Sequence, residues 1–266
     1  TGNVFLAYKN VADMDMLVSK WTSEKNPQYD FVADDQIRHS IWIVNDDQTI
    51  LQITNIFATQ VPCTYIADGH HRAASAAKVR TALGNKATAR ADYFLTTLFP
   101  SNQLAILDYN RVVKDLNGHT EESLLAAIGT AFSIEKRAKA YRPEAAHQYG
   151  MYLNKQWYKL VAKADRIPTD PIGILDVSVL QEQLLNPVLG ILDQRTDKRI
   201  DFVGGIRGLE ELEKRVDSGE MQLAISLHPV SIEQLFAVAD SGEVMPPKST
   251  WFEPKLRDGL LTHLID

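Results

Sequence analysis

The sequence predicts a mixed α/β fold, because short apolar runs of strand length alternate with longer amphipathic or alanine-rich segments along the whole chain. The 266 residues are 45% hydrophobic and 23% charged, which is typical of a globular protein with a substantial core. No run of about 18 apolar residues is present, so no transmembrane helix is expected. No internal repeat is evident.

The first part of the chain reads as three strands and three helices. Strands are predicted at 4–8, 37–44 and 63–67, and helices at 11–21, 49–58 and 73–82. Alanine dominates the last of these helices, and Gly84 is the residue expected to end it.

The second part continues the alternation with clearer capping and turn signals. Strands are predicted at 93–98, 104–113 and 223–227, with a hairpin over 150–162 that turns at Asn154 and Lys155. Helices are predicted from Thr120 to residue 132, over 176–185 and 206–216, and after a capping box formed by Ser231 and Gln234. A domain boundary is expected near residues 135–145, which divides the chain into regions 1–140 and 141–266.

The net charge indicates which partners the protein is suited to bind, and the cysteine content indicates its cellular compartment. The formal net charge of −6 makes general nucleic-acid binding an unfavoured function, because such binding usually needs a basic face. Cys63 is the single cysteine, so no intrachain disulfide can form; we interpret it as a core residue of a cytoplasmic protein. The chain opens on Thr1 without a signal-peptide pattern, and we expect it to be the later portion of a longer protein.

The main functional candidate is the segment Asp68-Gly69-His70-His71-Arg72, which lies between a predicted strand and the alanine-rich helix. The first N–H groups of a helix lack internal partners and carry the positive end of the helix dipole. A glycine lets the backbone turn tightly there, and an arginine can hold phosphate through two bonds. The two histidines add further donors. The pattern therefore predicts a phosphate site.

Two other interpretations of this turn stay open. Asp68 and Arg72 are four residues apart and could simply cap the helix and pair with each other. A structural zinc site is disfavoured because adjacent helical residues such as His70 and His71 point about 100° apart. A divalent ion bridging Asp68 and a bound phosphate fits the residue types better.

Two further places carry cationic candidates. In the segment 245–250, two prolines precede Lys248, Ser249 and Thr250, whose side chains suit phosphate or a magnesium–phosphate complex; the alternative is an ordinary ordered loop. Arg111 lies inside an apolar strand, where it needs a ligand or an internal carboxylate as partner, and the carboxylate is the commoner solution. If Lys248 serves the phosphate site, its amine is expected within a side chain's reach of Arg72.

The residues 65–72 resemble the bacterial and archaeal family called domain of unknown function 1015, and the resemblance extends over most of the chain. It is strongest at 65–78, 106–116 and 245–255. Three positions depart from the family's pattern: Ala73 and Trp251 replace a common tyrosine, and Asn110 replaces a histidine that often precedes the arginine.

The turn is also similar to that of the ADP-dependent free serine kinases, which share a fold with ParB partition proteins and sulfiredoxin. This resemblance implies a ParB/sulfiredoxin-like phosphate-binding core plus a second mixed α+β region. In that group the turn holds nucleotide phosphates, and the matching positions here are Asp68, His70, His71 and Arg72. The kinases also use an upstream carboxylate as base, which no motif of this chain identifies.

The function that the resemblance implies is that of a nucleotide-dependent kinase of small hydroxyl metabolites, using ADP or ATP with magnesium. Asp68, His70 and His71 are then the catalytic candidates, and Gly69, Arg72, Arg111, Lys248, Ser249 and Thr250 are the cofactor-binding candidates. The alternative is a regulatory protein that binds nucleotide or phosphate without chemistry. A sulfiredoxin-like reductase is disfavoured, because the turn itself contains no cysteine.

Overall fold

The computed structural model describes residues 2–257 and 259–264. Its strands and helices alternate, so the predicted mixed α/β class is confirmed. The chain forms two compact units. The first contains residues up to Leu104 together with the described residues from Leu256 onward, and the second is Ala105–Lys255.

The first unit is built on a small three-stranded sheet. Its regular elements are β1 (Val4–Tyr8), α1 (Ala12–Glu24), β2 (Tyr29–Val32), β3 (Arg38–Ile41), α2 (Asp47–Gln60), β4 (Tyr65–Asp68), α3 (His70–Leu83) and β5 (Thr96–Pro100). The strand order is β4-β1-β5, and β2 pairs with β3 as a separate ribbon. Tyr8 joins the sheet to the helices, since its ring lies 5.2 Å from that of Phe57 on α2.

The pairing of this sheet decides where the candidate turn lies. β4 runs antiparallel to β1, with Asp68 opposite Phe5, whereas β5 runs parallel to β1. The C-terminal end of β4 therefore lies at the same sheet edge as the N-terminal ends of β1 and β5, and α3 starts there.

The second unit contains a six-stranded antiparallel sheet. Its elements are β6 (Ala105–Leu107), β7 (Tyr109–Val113), α4 (Glu121–Ile128), β8 (Phe132–Arg137), β9 (Gln148–Leu153), β10 (Gln156–Ala162), α5 (Asp176–Leu180), β11 (Ile200–Gly204), α6 (Glu210–Asp217), β12 (Leu223–Leu227), α7 (Ile232–Asp240) and β13 (Trp251–Glu253). The large sheet has the order β11-β7-β12-β9-β10-β8, and β13 pairs with β6.

Alternation along the strands sends apolar side chains to both faces of this sheet. On one face, Val113 and Met151 pack in a large buried cluster with Leu124 of α4 and Leu180 of α5. On the other face, neighbouring strand residues form a smaller cluster with Leu212 of α6. Both faces being covered explains why β12 is buried at every position.

Several sequence predictions are confirmed, and others are corrected by the structure. The hairpin, the Thr120 cap and the Ser231–Gln234 capping box are present. The helix predicted as far as residue 132 ends at Ile128, because Phe132 begins a strand that pairs with β10. The strand predicted over 104–113 is divided at Asp108 into β6 and β7.

The units divide at residues 104 and 105, whereas the sequence-based boundary was expected near 140. A boundary near 140 would separate β7 and β8 from the strands with which they share one sheet. Cys63 is exposed, so its interpretation as a core residue was wrong; it lies in the connection between α2 and β4. Within the described residues, no helix is long and apolar enough to cross a membrane.

Candidate functional site

The segment 68–72 forms a strand–turn–helix junction, as the sequence predicted. β4 ends at Asp68, and Gly69 occupies the N-cap position of the fourteen-residue helix α3 with φ 97° and ψ 24°. This left-handed conformation is one that glycine adopts without the steric cost that a side chain brings. Gly69 therefore allows α3 to start directly at the sheet edge.

The first turn of α3 has neither a capping side chain nor a carboxylate. Its N-cap residue, Gly69, makes no side-chain hydrogen bond to the leading N–H groups, and the first turn contains no acidic residue. By contrast, α2, α4 and α7 are each capped by a side chain, from Asp46, Thr120 and Ser231. The N–H groups at residues 70–72 therefore keep the partial positive charge that suits an anion.

Arg72 folds back across the turn. Its Nη2 lies 2.9 Å from Oδ2 of Asp68, and the two side chains are 34% and 63% exposed. A Cβ placed on Gly69 would lie 3.0 Å from Arg72 Nε, and one on Gly2 would lie 3.2 Å from Arg72 Cδ. The structure thus contains the Asp68–Arg72 pair of the simpler interpretation, and the guanidinium of this pair lies beside Gly69.

His70 and His71 are both exposed at the start of α3. Over residues 2–257 and 259–264, no group of three or more histidine, cysteine, aspartate or glutamate side chains could hold a metal ion. The donor groups of the turn suit an anion because they are N–H groups, and Asp68 is the carboxylate of the turn that could contact a cation bound to that anion.

A first prediction concerns Gly69. The change Gly69→Ala is expected to destabilise the protein by about 1–2 kcal/mol, the cost of a left-handed side-chain residue, and to push Arg72 off the turn. Urea unfolding and phosphate titration measure the two effects. The matched control is Gly242→Ala, which has φ +78° but open space around its Cβ. Equal phosphate affinity in both variants would show that the position of Arg72 is unimportant.

The loop 245–250 lies in the second unit, where it contacts β7. The ammonium group of Lys248 lies 5.6 Å from the ring centroid of Tyr109, and Lys248 itself has φ 53°. Ser249 is buried and donates its hydroxyl hydrogen to the carbonyl of Pro246, so this hydrogen is already used within the loop. Thr250 is half-buried. The expected approach of Lys248 to Arg72 stays a prediction.

Arg111 is fully buried on β7, and the groups that contact it are not the carboxylate that was expected from the sequence. Its Nε donates to Gln194 Oε1 at 3.1 Å and its Nη1 donates to the carbonyl of Tyr109. Among the described residues, no carboxylate lies within ion-pair distance of it, so the internal ion pair favoured from the sequence was wrong. Burial lowers the pKa of Arg111 to about 9, which leaves it protonated at neutral pH.

Sequence reasoning missed a buried carboxyl group at the start of α5. Asp176 is only 5% exposed and accepts a hydrogen bond from the backbone N–H of His147 at 2.8 Å. The His147 ring nitrogen Nδ1 lies 3.1 Å from the same oxygen, and Tyr149 donates to the Asp176 carbonyl. Burial raises the pKa of Asp176 to about 7. A signal was available, since this aspartate interrupts an apolar run.

A cavity of 640 Å³ also lies in the first unit, beside α1 and the start of α2. Its lining includes Met16, Trp21 and Ile43 together with Lys20 and Asp46. The turn at 68–72 does not contribute to the described lining, so the cavity and the candidate phosphate site are separate features of this unit.

Comparison with solved structures finds similar chains with low sequence identity. A free serine kinase in complex with AMP matches with a TM-score of 0.41 and 11% identity, covering 93% of this chain and 83% of that one. A conserved hypothetical protein from Pyrococcus furiosus matches with a TM-score of 0.40 and 13% identity, covering 93% and 86%. Among curated protein sequences, none matches significantly.

The sequence itself matches one protein family, DUF1015, described as a protein of unknown function. The match covers residues 1–178, which include the turn at 68–72, Arg111 and the buried Asp176. Because this match extends over more than half of the chain, the protein belongs to the DUF1015 family.

Proposed function

We propose that the turn at 68–72 binds the phosphate groups of ADP or ATP with magnesium, and that the protein transfers a phosphoryl group between this nucleotide and a small hydroxyl metabolite. The observation that carries the proposal is the uncapped start of α3, where Gly69 and Arg72 bring free amides and a guanidinium together. The choice of nucleotide follows the resemblance of the turn to that of the free serine kinases.

The residue types of the turn suit phosphoryl transfer, which depends mainly on positioning and on stabilising negative charge. The N–H groups at residues 70–72 would donate hydrogen bonds to phosphate oxygens, and the guanidinium of Arg72 adds planar donors that fit an oxyanion. His70 and His71 are exposed and can donate from their rings. Asp68 would hold a magnesium ion or the acceptor, because it is the exposed carboxylate of the turn.

The experiment measures nucleotide binding first and phosphoryl transfer second. Isothermal calorimetry with ADP and with ATP, each with magnesium, should show saturable binding, and an assay with small hydroxyl compounds should show phosphoryl transfer. Binding without transfer to any acceptor would favour the alternative, a regulatory protein that binds nucleotide without chemistry. No binding of either nucleotide would overturn the proposal.

A second prediction separates the two tasks of Asp68. The change Asp68→Asn removes a negative charge beside the phosphate and releases Arg72 from its ion pair. We expect ADP to bind several-fold more tightly without magnesium, whereas the gain in affinity on adding magnesium is lost. Calorimetry in magnesium and in chelator measures both. Weaker binding under both conditions would instead mean that Asp68 acts by holding Arg72 in place.

A further inference from the structure

On one face of the sheet in the second unit, two cationic side chains contact the same residue, Tyr109: Arg111 contacts its backbone carbonyl and Lys248 contacts its ring. Tyr109 and Arg111 alternate along β7 and therefore share this face. Arg111 donates to the Tyr109 carbonyl from within the core, while the ammonium of Lys248 lies over the Tyr109 ring from the loop. The described salt bridges include neither cation, so no carboxylate neutralises this place in a protein of net charge −6.

Hydrogen bonds hold the guanidinium of Arg111 in position, but one of its nitrogen atoms has no hydrogen-bond partner. Gln194 accepts from Nε, and Gln194 is itself oriented by a 2.7 Å hydrogen bond from its Nε2 to Gln181 Oε1. The remaining group, Nη2, is buried and has no hydrogen-bond partner. Two nitrogen atoms of this buried guanidinium are thus fixed by hydrogen bonds, and the third has no partner. A buried donor without a partner costs free energy unless another group accepts its hydrogen bond.

The other neighbours of Arg111 do not supply the missing charge. Its guanidinium carbon lies 5.3 Å from the ring centroid of Phe202, which carries no net charge. Asp108 precedes Tyr109 in the chain, but its carboxylate is bonded to Asn110 and Arg142. A buried charge that lacks a counter-ion is strongly disfavoured.

The loop that carries Lys248 is built against the same tyrosine. The Ser249 hydroxyl closes the turn onto Pro246, and the Trp251 ring lies 5.5 Å from the Tyr109 ring. Gly204 makes room for that indole, since a Cβ there would approach it to 2.6 Å. Lys248 itself is exposed, so its ammonium faces solvent at the outer side of Tyr109.

We propose that Arg111 and Lys248 form a second anion site in the Ala105–Lys255 unit, which takes a small oxyanion such as a carboxylate or phosphate group. The oxyanion would accept from Nη2 of Arg111 and from the ammonium of Lys248, replacing the carboxylate that the protein does not provide. Because Arg111 is enclosed, entry requires the Tyr109 side chain and the loop 245–250 to shift. Its two donors, Arg111 and Lys248, are not residues of the turn at 68–72.

The experiment uses the Arg72→Ala protein, in which the turn is already weakened. Inorganic phosphate and acetate are titrated at constant ionic strength against sodium chloride, with thermal unfolding and calorimetry as readouts. We expect one of the two oxyanions to raise the unfolding temperature by several degrees, because a ligand that binds only the folded state stabilises it. Phosphate or acetate as the active anion distinguishes the two chemical classes.

Three variants on that background locate the site. Lys248→Met and Arg111→Met should each lower the affinity at least tenfold, whereas Lys255→Met, which removes an equivalent lysine over the ring of Trp251, should leave it unchanged. If Arg111→Met does not fold, Lys248→Met still decides the outcome, because Lys248 is exposed. The site would be overturned if phosphate and acetate raise the unfolding temperature no more than chloride does. It would also be overturned if Lys248→Met responds to the anion as strongly as the protein that keeps Lys248. Nη2 of Arg111 would then be hydrogen-bonded to a trapped water.

Discussion

Replacing Arg72 with alanine is expected to weaken binding of magnesium–ADP by about 1.5–3 kcal/mol, or roughly ten- to hundredfold, the scale of a hydrogen bond to a charged group. The effect should be large because the guanidinium of Arg72 lies beside Gly69, the N-cap residue of α3. Calorimetry on both proteins at one salt concentration measures the difference.

Two matched variants make this result specific. Arg80→Ala removes an arginine of the same helix that pairs with Asp92, and it should leave nucleotide affinity unchanged. Arg72→Lys keeps the charge but loses the planar fork, so it should fall between wild type and alanine. Equal ADP affinity in wild type and Arg72→Ala would place the nucleotide elsewhere and remove the basis of the proposed function.

The second large expected effect is a pH dependence of the free energy of unfolding, which Asp176 causes. Its carboxyl has a pKa of about 7 in the folded protein, against 3.8 in its ordinary state, because burial disfavours the charged form. Between these values the folded state binds the proton that the unfolded state has lost. The contribution to stability is therefore fully present below about pH 4 and is lost as the pH rises to 7, by up to about 1.4 kcal/mol per pH unit.

The change Asp176→Asn should remove this dependence while keeping an oxygen that can accept from the His147 N–H. Relative to wild type, the variant should gain stability between pH 4 and pH 8 by up to about 4 kcal/mol, the value of the full shift. Urea unfolding across this range measures the gain.

His147 opposes part of the Asp176 effect. Burial lowers its pKa, so its contribution to stability rises with pH. Asp165→Asn, which alters an exposed aspartate, is the control and should show no such trend. A constant difference between wild type and Asp176→Asn at all pH values would show that the carboxyl is not held in its protonated form.

Local signals in the sequence were sufficient for elements that the backbone specifies by itself. The alanine-rich helix, the glycine before it, the hairpin at Asn154 and Lys155 and the cap at Ser231 are determined by propensity, turn geometry and short-range hydrogen bonds. The pairing of strands that are distant in the sequence could not be predicted from such local signals. Phe132 looked like the last residue of a helix, and only its pairing with Ala162 across β8 and β10 makes it part of a strand.

The same distinction holds for the candidate sites. The turn at 68–72 could be predicted because its strand end, glycine and arginine are contiguous, so one local conformation brings them together. The environments of Arg111 and Asp176 could not be predicted. Their partners lie 83 and 29 residues away along the chain, and burial, which shifts both pKa values, is a property of the packed sheet and its helices.

The sequence by itself thus determined the α/β class and the strand–turn–helix junction at 68–72, because both depend on residues close together in the chain. Its motifs also indicated the family. The tertiary structure alone decided that Arg72 pairs with Asp68 while lying beside Gly69, and that Arg111 is buried with none of the described carboxylates within ion-pair distance. It also decided that Lys248 shares Tyr109 with Arg111. The physical reason is that solvation and ion pairing depend on which distant segments pack together, and strand pairing across the sheets sets that arrangement.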